Sequence, residues 1–306
     1  MLEYDPFATY TLEDLSNWNF PGVSLAVLGY PVRHSISPQM HNASISEISS
    51  HEEKFKDWRY FRFEIKPEDL IAALPIFFEK GFFGLNLTVP HKTIAFDFIE
   101  DIERNAQPIG AINTLKRVGN SYRGYNTDGF GMQEGIKREL DRDLNGSEIF
   151  LLGAGGASRA AAVQSLQSGC KSLTIVNRNQ DRLTELLNGI SSIQGKNQIL
   201  KGIAPSDPGL TIPTGSLVIN ATSLGLKEND PLPIPSTAIS DPVDLYDMIY
   251  NPAETQLMNH VKSQGGRAAN GLTMLIYQGV KALEHWTETT ILPETMLNAA
   301  KKAMTP

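Results

Sequence analysis

The sequence predicts an α/β protein of two domains, the second built on a doubly wound parallel sheet. Three observations carry that reading. From about residue 148 onward, short apolar runs alternate with helical spacing, the pattern of a parallel sheet whose crossovers cover both faces. Ile149-Phe-Leu-Leu152 runs into Gly153-Ala-Gly-Gly-Ala-Ser158 and then into the small, apolar Ala160-Ala-Ala-Val163, which reads as buried strand, glycine-rich turn and helix. Val176-Asn-Arg-Asn179 closes the following strand with an arginine where an acid would ordinarily meet a ribose. The length of 306 residues accommodates two domains of ordinary size.

Taken in order, residues up to about Pro21 read as an extension with no assigned role. Residues 24–30 form an apolar strand ended by glycine and proline, and Pro38 opens a helix to about residue 50. Tyr60-Phe-Arg-Phe-Glu-Ile65 alternates as a strand does. Residues 67–80 have helical spacing, 84–89 form a strand, and Pro90 starts another helix. Two short strands follow at 111–117 and 121–125, and a helix starts at Asp128. Strands are then expected at 148–153, 172–177, 198–203, 216–220 and 243–247, with helices at 156–168 and 180–189. Residues 271–285 and 293–303 read as two terminal helices. The expected domains are 1–127 with 270–306, and 128–269.

Charge and composition narrow the function classes. The chain carries 27 basic and 34 acidic residues, a net charge of −7, which offers no footprint for nucleic acid or an anionic membrane. No apolar run approaches the roughly 20 residues of a membrane span. The N-terminus lacks the basic and then apolar start of a signal peptide, so a cytoplasmic location is expected. The single cysteine, Cys170, can form no internal disulfide and is expected on the buried face of a helix. The expected partner is a small-molecule substrate, with the protein a monomer or homodimer.

The glycine turn has a physical logic. Gly153 and Gly155 allow a tight turn and close approach of backbone to a pyrophosphate. Ala154 lies between them, and Gly156 and Ala157 keep the helix start near the sheet. The unpaired N–H groups of that helix then face the phosphates. Arg178, with Arg182 one helical turn beyond and Asn177 and Asn179 beside it, can grip a 2′-phosphate by charge-assisted bonds. The cofactor is therefore expected to be NADP, on a Rossmann-type domain.

Four polar segments lie outside that domain: His34-Ser-Ile-Ser-Pro38, Asn86-Leu-Thr-Val-Pro-His-Lys92, Gly110-Ala-Ile-Asn113 and Gly124-Tyr-Asn-Thr-Asp128. Together with His41-Asn42, Asn220-Ala-Thr-Ser223, Asn270-Gly271 and Gln278-Gly279, and with the glycine turn, they resemble the shikimate dehydrogenase family in order and spacing, from Val27 to about Gln278. The resemblance implies reversible NADPH-dependent reduction of 3-dehydroshikimate to shikimate in the shikimate pathway of chorismate and aromatic amino acid biosynthesis. It implies an N-terminal substrate-binding domain and an open cleft before the NADP domain. The substrate carboxylate would lie on Ser35 and Ser37, with Tyr250 near it. The ring hydroxyls would meet Asn86, Thr88, Lys92, Asn113, Asp128 and Gln278. Thr222, Met248, Gly271 and Met274 would fall to the cofactor, with Met274 beside the nicotinamide. Position 179 is asparagine where many family members carry threonine.

The residue chemistry agrees with that assignment. Reduction of a ketone leaves an alkoxide that needs a proton or a positive charge. Lys92 can supply either, and Asp128 can orient it while bonding the neighbouring hydroxyl. His34, His41 and His91 match no zinc spacing, so no metal is expected. Two other readings are a quinate/shikimate dehydrogenase tolerating NAD, and a catalytically silent NADP-binding regulatory relative. The second would show a lost Lys or Asp, yet Lys92 and Asp128 are both present.

Overall fold

A computed structural model describes residues 4–304. The chain divides into two compact units, one made of the residues up to Thr127 and from Gln278 onward, the other of Asp128–Tyr277. The return crossing therefore lies inside a helix, eight residues later than the sequence suggests. The first turns of that helix are tied to the second unit, where the Met274 amide donates to the Tyr246 hydroxyl at 3.1 Å.

In chain order the first unit contains β1 (Thr9–Tyr10), α1 (Leu12–Ser16), β2 (Val23–Gly29), α2 (Ser37–Ser49), β3 (Trp58–Glu64), α3 (Leu70–Glu79), β4 (Phe82–Leu87), α4 (His91–Phe98), β5 (Asp101–Ile102), β6 (Thr114–Val118) and β7 (Ser121–Tyr125). Its sheet runs β1-β3-β2-β4-β6-β7-β5. The first four of these strands are parallel, and β6 pairs antiparallel with β4 and β7. The predicted strands and helices are present with ends shifted by up to a few residues. The expected strand at 111–117 starts only at Thr114, because Gly110 sits at φ +65° and the next three residues form a loop. Residues 67–69 are a 3₁₀ turn leading into α3.

The extension is not structureless. Thr11 caps α1 with a reciprocal Thr11–Asp14 capping box, and β1 pairs with β3 at the sheet edge. Trp18, Tyr10, Phe61, Phe63 and Phe82 pack together, most pairs edge-to-face, with Trp18 donating its indole N–H to Ser24 at 3.1 Å.

The second unit contains α5 (Asp128–Leu140), β8 (Glu148–Leu152), α6 (Gly156–Gln167), β9 (Ser172–Val176), α7 (Gln180–Ile190), β10 (Ile199–Ile203), β11 (Leu217–Asn220), β12 (Asp244–Asp247), α8 (Gln256–Ser263) and β13 (Arg267–Ala269). All six strands are parallel, in the order β10-β9-β8-β11-β12-β13. Counted from β8 this is 3-2-1-4-5-6, the Rossmann order, with its reversal beside β8. The central strands are largely buried, and β8 and β11 read as short apolar runs. The chain ends with α9 (Leu272–Thr287) and α10 (Pro293–Met304). Cys170 is buried, but off any helix: α6 stops at Gln167 and Gly169, at φ +81°, turns the chain toward β9. Burial pushes its thiol up to about 11. Among the described residues no helix is long and apolar enough to cross a membrane.

Candidate active site

In the first unit, β3 sorts its side chains by strand alternation. Phe61 and Phe63 enter the aromatic core, with Ile65 just past the strand end. Tyr60, Arg62 and Glu64 take the opposite face. The Tyr60 hydroxyl donates to Asn86 Oδ1 at 2.7 Å. Asn86 Nδ2 donates in turn to the Asn113 carbonyl at 3.1 Å and to Thr114 Oγ1 at 3.0 Å. Asn113 Nδ2 donates to Thr127 Oγ1 at 2.9 Å and reaches Gln278 Oε1 at 3.5 Å, while the Thr127 hydroxyl can donate to the Gln278 carbonyl at 3.0 Å. Three of the expected substrate residues, Asn86, Asn113 and Gln278, thus share one network in the first unit.

Ser35 and Ser37 are also brought together. Ser35 Oγ donates to Ser37 Oγ at 3.1 Å and accepts the Ser37 amide at 3.3 Å. Ser37 is the first residue of α2, Pro38 the second, and the N-cap Ile36 supplies no side-chain bond. Two hydroxyls at an uncapped helix start are suited to a carboxylate. Thr88 follows β4, donating its amide to the Leu28 carbonyl at 2.9 Å and accepting the His91 amide at 2.8 Å. Lys92 is the second residue of α4, half-buried, and its carbonyl accepts the Ile112 amide at 3.0 Å. His91 is fully buried with Nε2 2.9 Å from the Ile65 carbonyl, and burial lowers its pKa, so it acts as a neutral structural group. Among the described residues no group of three or more His, Cys, Asp or Glu is placed to hold a metal ion.

The second unit carries the remaining expected residues. Asp128 is the buried first residue of α5, where the helix dipole favours a carboxylate. The turn after β8 starts at Gly153, whose φ of +109° and whose 2.9 Å clearance to Ser158 Oγ exclude other residues. A Cβ on Gly155 or Gly156 would meet nothing within 4 Å, so the space above both is open. Gly155 caps α6 without a side chain, and the buried Ser158 Oγ has no partner among the described residues. Ala154 is buried and Ala157 half-buried beside them. Arg178 and Arg182 are exposed just past β9. Asn179 caps α7, its Oδ1 accepting the Arg182 amide at 2.9 Å, and Asn177 Nδ2 donates to the Asn179 carbonyl at 2.7 Å. Asparagine at 179 thus does a helix-capping job that threonine can also do.

A second buried network sits at the ends of β11 and β12. Asp247 accepts from Asn220 Nδ2 at 3.0 Å, Thr255 Oγ1 at 2.7 Å and the Ile249 amide at 3.1 Å. Burial raises its carboxyl pKa despite these donors. Asn220 Oδ1 holds Thr222 through both its amide (3.1 Å) and its hydroxyl (2.8 Å). Asn220 O accepts the Met248 amide at 2.9 Å, and a Cβ on Gly271 would sit 2.1 Å from the Met248 carbonyl oxygen. Thr222, Met248 and Gly271 are therefore linked through one set of strand ends. Met274 is buried at the start of α9. Tyr250 is half-buried with its phenol pKa raised by burial, which keeps it protonated.

The sequence reading gave no site role to Tyr60, Arg62, Thr114 or Asp247. For the first two the available signal was the polar tooth of the Tyr60-Phe-Arg-Phe-Glu-Ile65 alternation. Open backbone above Gly155 and Gly156, an uncapped helix start and two exposed arginines past the next strand fit a phosphorylated dinucleotide.

The Rossmann-ordered sheet and its glycine turn make this an α/β protein of the dinucleotide-binding class. Three family models match it: the shikimate dehydrogenase substrate binding domain over residues 27–115, shikimate / quinate 5-dehydrogenase over 134–207, and the shikimate 5'-dehydrogenase C-terminal domain over 271–301. The chain belongs to the shikimate dehydrogenase family. It is 36% identical to a shikimate dehydrogenase (NADP(+)) of Desulforamulus reducens over 278 residues, covering 90% of this chain and 94% of the relative. A shikimate dehydrogenase crystallised with NADP+ superposes with a TM-score of 0.80 at 29% identity, over 94% of this chain and 98% of that one. The Thermus thermophilus shikimate 5-dehydrogenase, in complex with NADP(H) and shikimate, gives 0.78 at 30% identity over 92% and 100%.

Proposed function

We propose that the protein reversibly reduces 3-dehydroshikimate to shikimate with NADPH, a step toward chorismate and the aromatic amino acids. The observation that carries this is the serine pair at the start of α2, which suits a carboxylate, in a family member whose second unit fits NADP. The first unit with the terminal helices is the substrate side, and the Rossmann unit is the cofactor side.

When bound, NADPH supplies the hydride. Ser35 and Ser37 bind and orient the ring through its carboxylate, with Tyr250 as a neutral donor to the same group. Asn86, Thr88, Asn113 and Gln278 set the ring hydroxyls, the buried amides already locked by their mutual bonds. Lys92 holds a positive charge and a transferable proton at the carbonyl oxygen, and Asp128 bonds the adjacent hydroxyl. Gly153, Ala154, Gly155, Gly156 and Ala157 receive the pyrophosphate. Asn177, Arg178, Asn179 and Arg182 hold the 2′-phosphate, and Thr222, Met248, Gly271 and Met274 line the nicotinamide end.

The test is the initial rate of oxidation of shikimate and of quinate, each with NADP and with NAD. The expected result is a strong preference for the shikimate–NADP pair. Comparable rates with quinate or NAD would move the protein to the broader shikimate/quinate activity. Silence in all four assays with folded, NADP-binding protein would return it to a non-catalytic role.

A further inference from the structure

Arg62 is a buried arginine that the reaction as described does not use. It lies on β3 with three of its nitrogens engaged, two on the N-terminal segment and one on the loop that leads into α2. Nε donates to Thr9 Oγ1 at 2.8 Å, Nη2 to the Phe7 carbonyl at 2.6 Å, and Nη1 to the Ser35 carbonyl at 2.7 Å. All three acceptors are neutral oxygens.

The N-terminal segment is shaped to present two of those acceptors. Asp5 Oδ1 accepts the Phe7 amide at 2.8 Å and the Asp5 carbonyl accepts the Ala8 amide at 3.2 Å, which folds residues 5–8 into a turn. The Tyr10 hydroxyl closes on the Asp5 carbonyl at 2.9 Å, and the Tyr10 ring packs on Trp18 and Phe63. Thr9 is set opposite Arg62 by the β1–β3 register. A guanidinium is a rigid planar fork, so fixing two of its nitrogens fixes the direction of the third. That third nitrogen points at the serine loop. Two residues along the same strand face, Glu64 holds the other end of that loop, accepting the Val32 amide at 3.3 Å and pairing with Arg33 at 3.3 Å.

We propose that Arg62 is a positioning residue for the carboxylate-binding serine pair, and that residues 5–10 serve to orient it. This rests on the assignment of Ser35 and Ser37 to the substrate carboxylate. By holding the Ser35 peptide, Arg62 sets the Ser35 hydroxyl against Ser37 and places a fixed positive charge behind the site. Its effect belongs to recognition of the acid group, not to the redox step.

The experiment compares kcat/KM for shikimate and for its methyl ester, with NADP saturating, in wild type, Arg62→Lys and Thr9→Val. Lysine keeps the charge but cannot span three acceptors, and valine removes one anchor of the fork while leaving Arg62 intact. The expected result is a preference for acid over ester that falls about tenfold in Arg62→Lys, carried by KM for shikimate, and by less in Thr9→Val. KM for NADP stays unchanged. Equal loss with both substrates, or an unchanged preference, in whichever variants fold by urea titration would overturn the proposal and leave Arg62 as an anchor of the extension alone. Ser35→Ala/Ser37→Ala is run beside them. If that double variant keeps the full preference, the carboxylate assignment itself fails, an outcome separate from the failure of Arg62.

Discussion

Asn113 and Thr127 exchange hydrogen bonds: the Thr127 amide donates to Asn113 Oδ1 at 2.9 Å, and Asn113 Nδ2 returns a bond to Thr127 Oγ1 at 2.9 Å. One of these residues comes directly before β6 and the other shortly after β7, so the exchange closes the hairpin at its base. Through Asn86 it continues to Tyr60 on β3. The polar groups expected to meet the substrate are thus braced by the sheet before any ligand arrives, which is the preorganisation that hydrogen-bonding sites need.

Lys92→Ala should lower kcat by about 10²–10⁴-fold with little change in KM for shikimate, because the charge and proton proposed for it matter mainly in the transition state. Steady-state kinetics at saturating NADP check this. Near-normal turnover would remove Lys92 from the chemistry.

Arg178→Ala should raise KM for NADP roughly ten- to a hundredfold and leave KM for NAD nearly unchanged, since only NADP carries the phosphate that the guanidinium is proposed to grip. Equal effects on both cofactors would mean that Arg178 does not read the 2′-phosphate.

Gly271→Ala places a methyl 2.1 Å from the Met248 carbonyl oxygen, a backbone atom that cannot rotate away. A stability loss of about 1–3 kcal/mol is expected, read from urea midpoints, with KM for NADP raised because Met248 shifts. An unchanged midpoint would show that the strand end yields more freely than its bonds suggest.

His41 should make the protein acid-sensitive. It is fully buried, stacked on Tyr60 at 4.1 Å, with neither ring nitrogen bonded among the described residues, and burial lowers its pKa to about 3. A base whose folded pKa lies below its unfolded value of about 6.5 binds more protons when unfolded. Its neutral form is therefore tolerated above about pH 6.5, and stability falls as pH drops from there toward 3. Between pH 7 and 5 the loss should be about 2 kcal/mol, and His41→Phe should abolish that share of the slope. His285, lowered to about 4 by burial and by Lys281 and Lys116, remains in both proteins and cancels in the comparison. Parallel slopes for wild type and variant would contradict the assignment.

The second unit was readable from sequence because each central strand is a short apolar run and its central turn is spelled in glycine. What escaped detection had little local signal. α8 shows only Leu257, Met258 and Val261 to the core, and β13 is three residues, Arg267-Ala-Ala269, without a β-branched side chain. β1 is two residues long and exists because β3 offers an open edge. In the site, serine, asparagine, lysine and aspartate were visible as residue types within motifs. Tyr60 and Arg62 were not, because their roles come from strand register and from partners on distant stretches of chain. The Thr11–Asp14 capping box was the one written sign that the extension folds.

All three tryptophans, Trp18, Trp58 and Trp286, belong to the first unit, and Asp128–Tyr277 contains none. Trp18 and Trp286 are both buried, one in the aromatic cluster of the extension and the other bonded through its indole N–H to the Leu115 carbonyl at 2.9 Å. Indole emission is thus an optical label written into one half of the molecule. Fluorescence will follow the melting of the substrate half, whereas circular dichroism sums both, and any gap between the two curves measures how far the halves unfold independently.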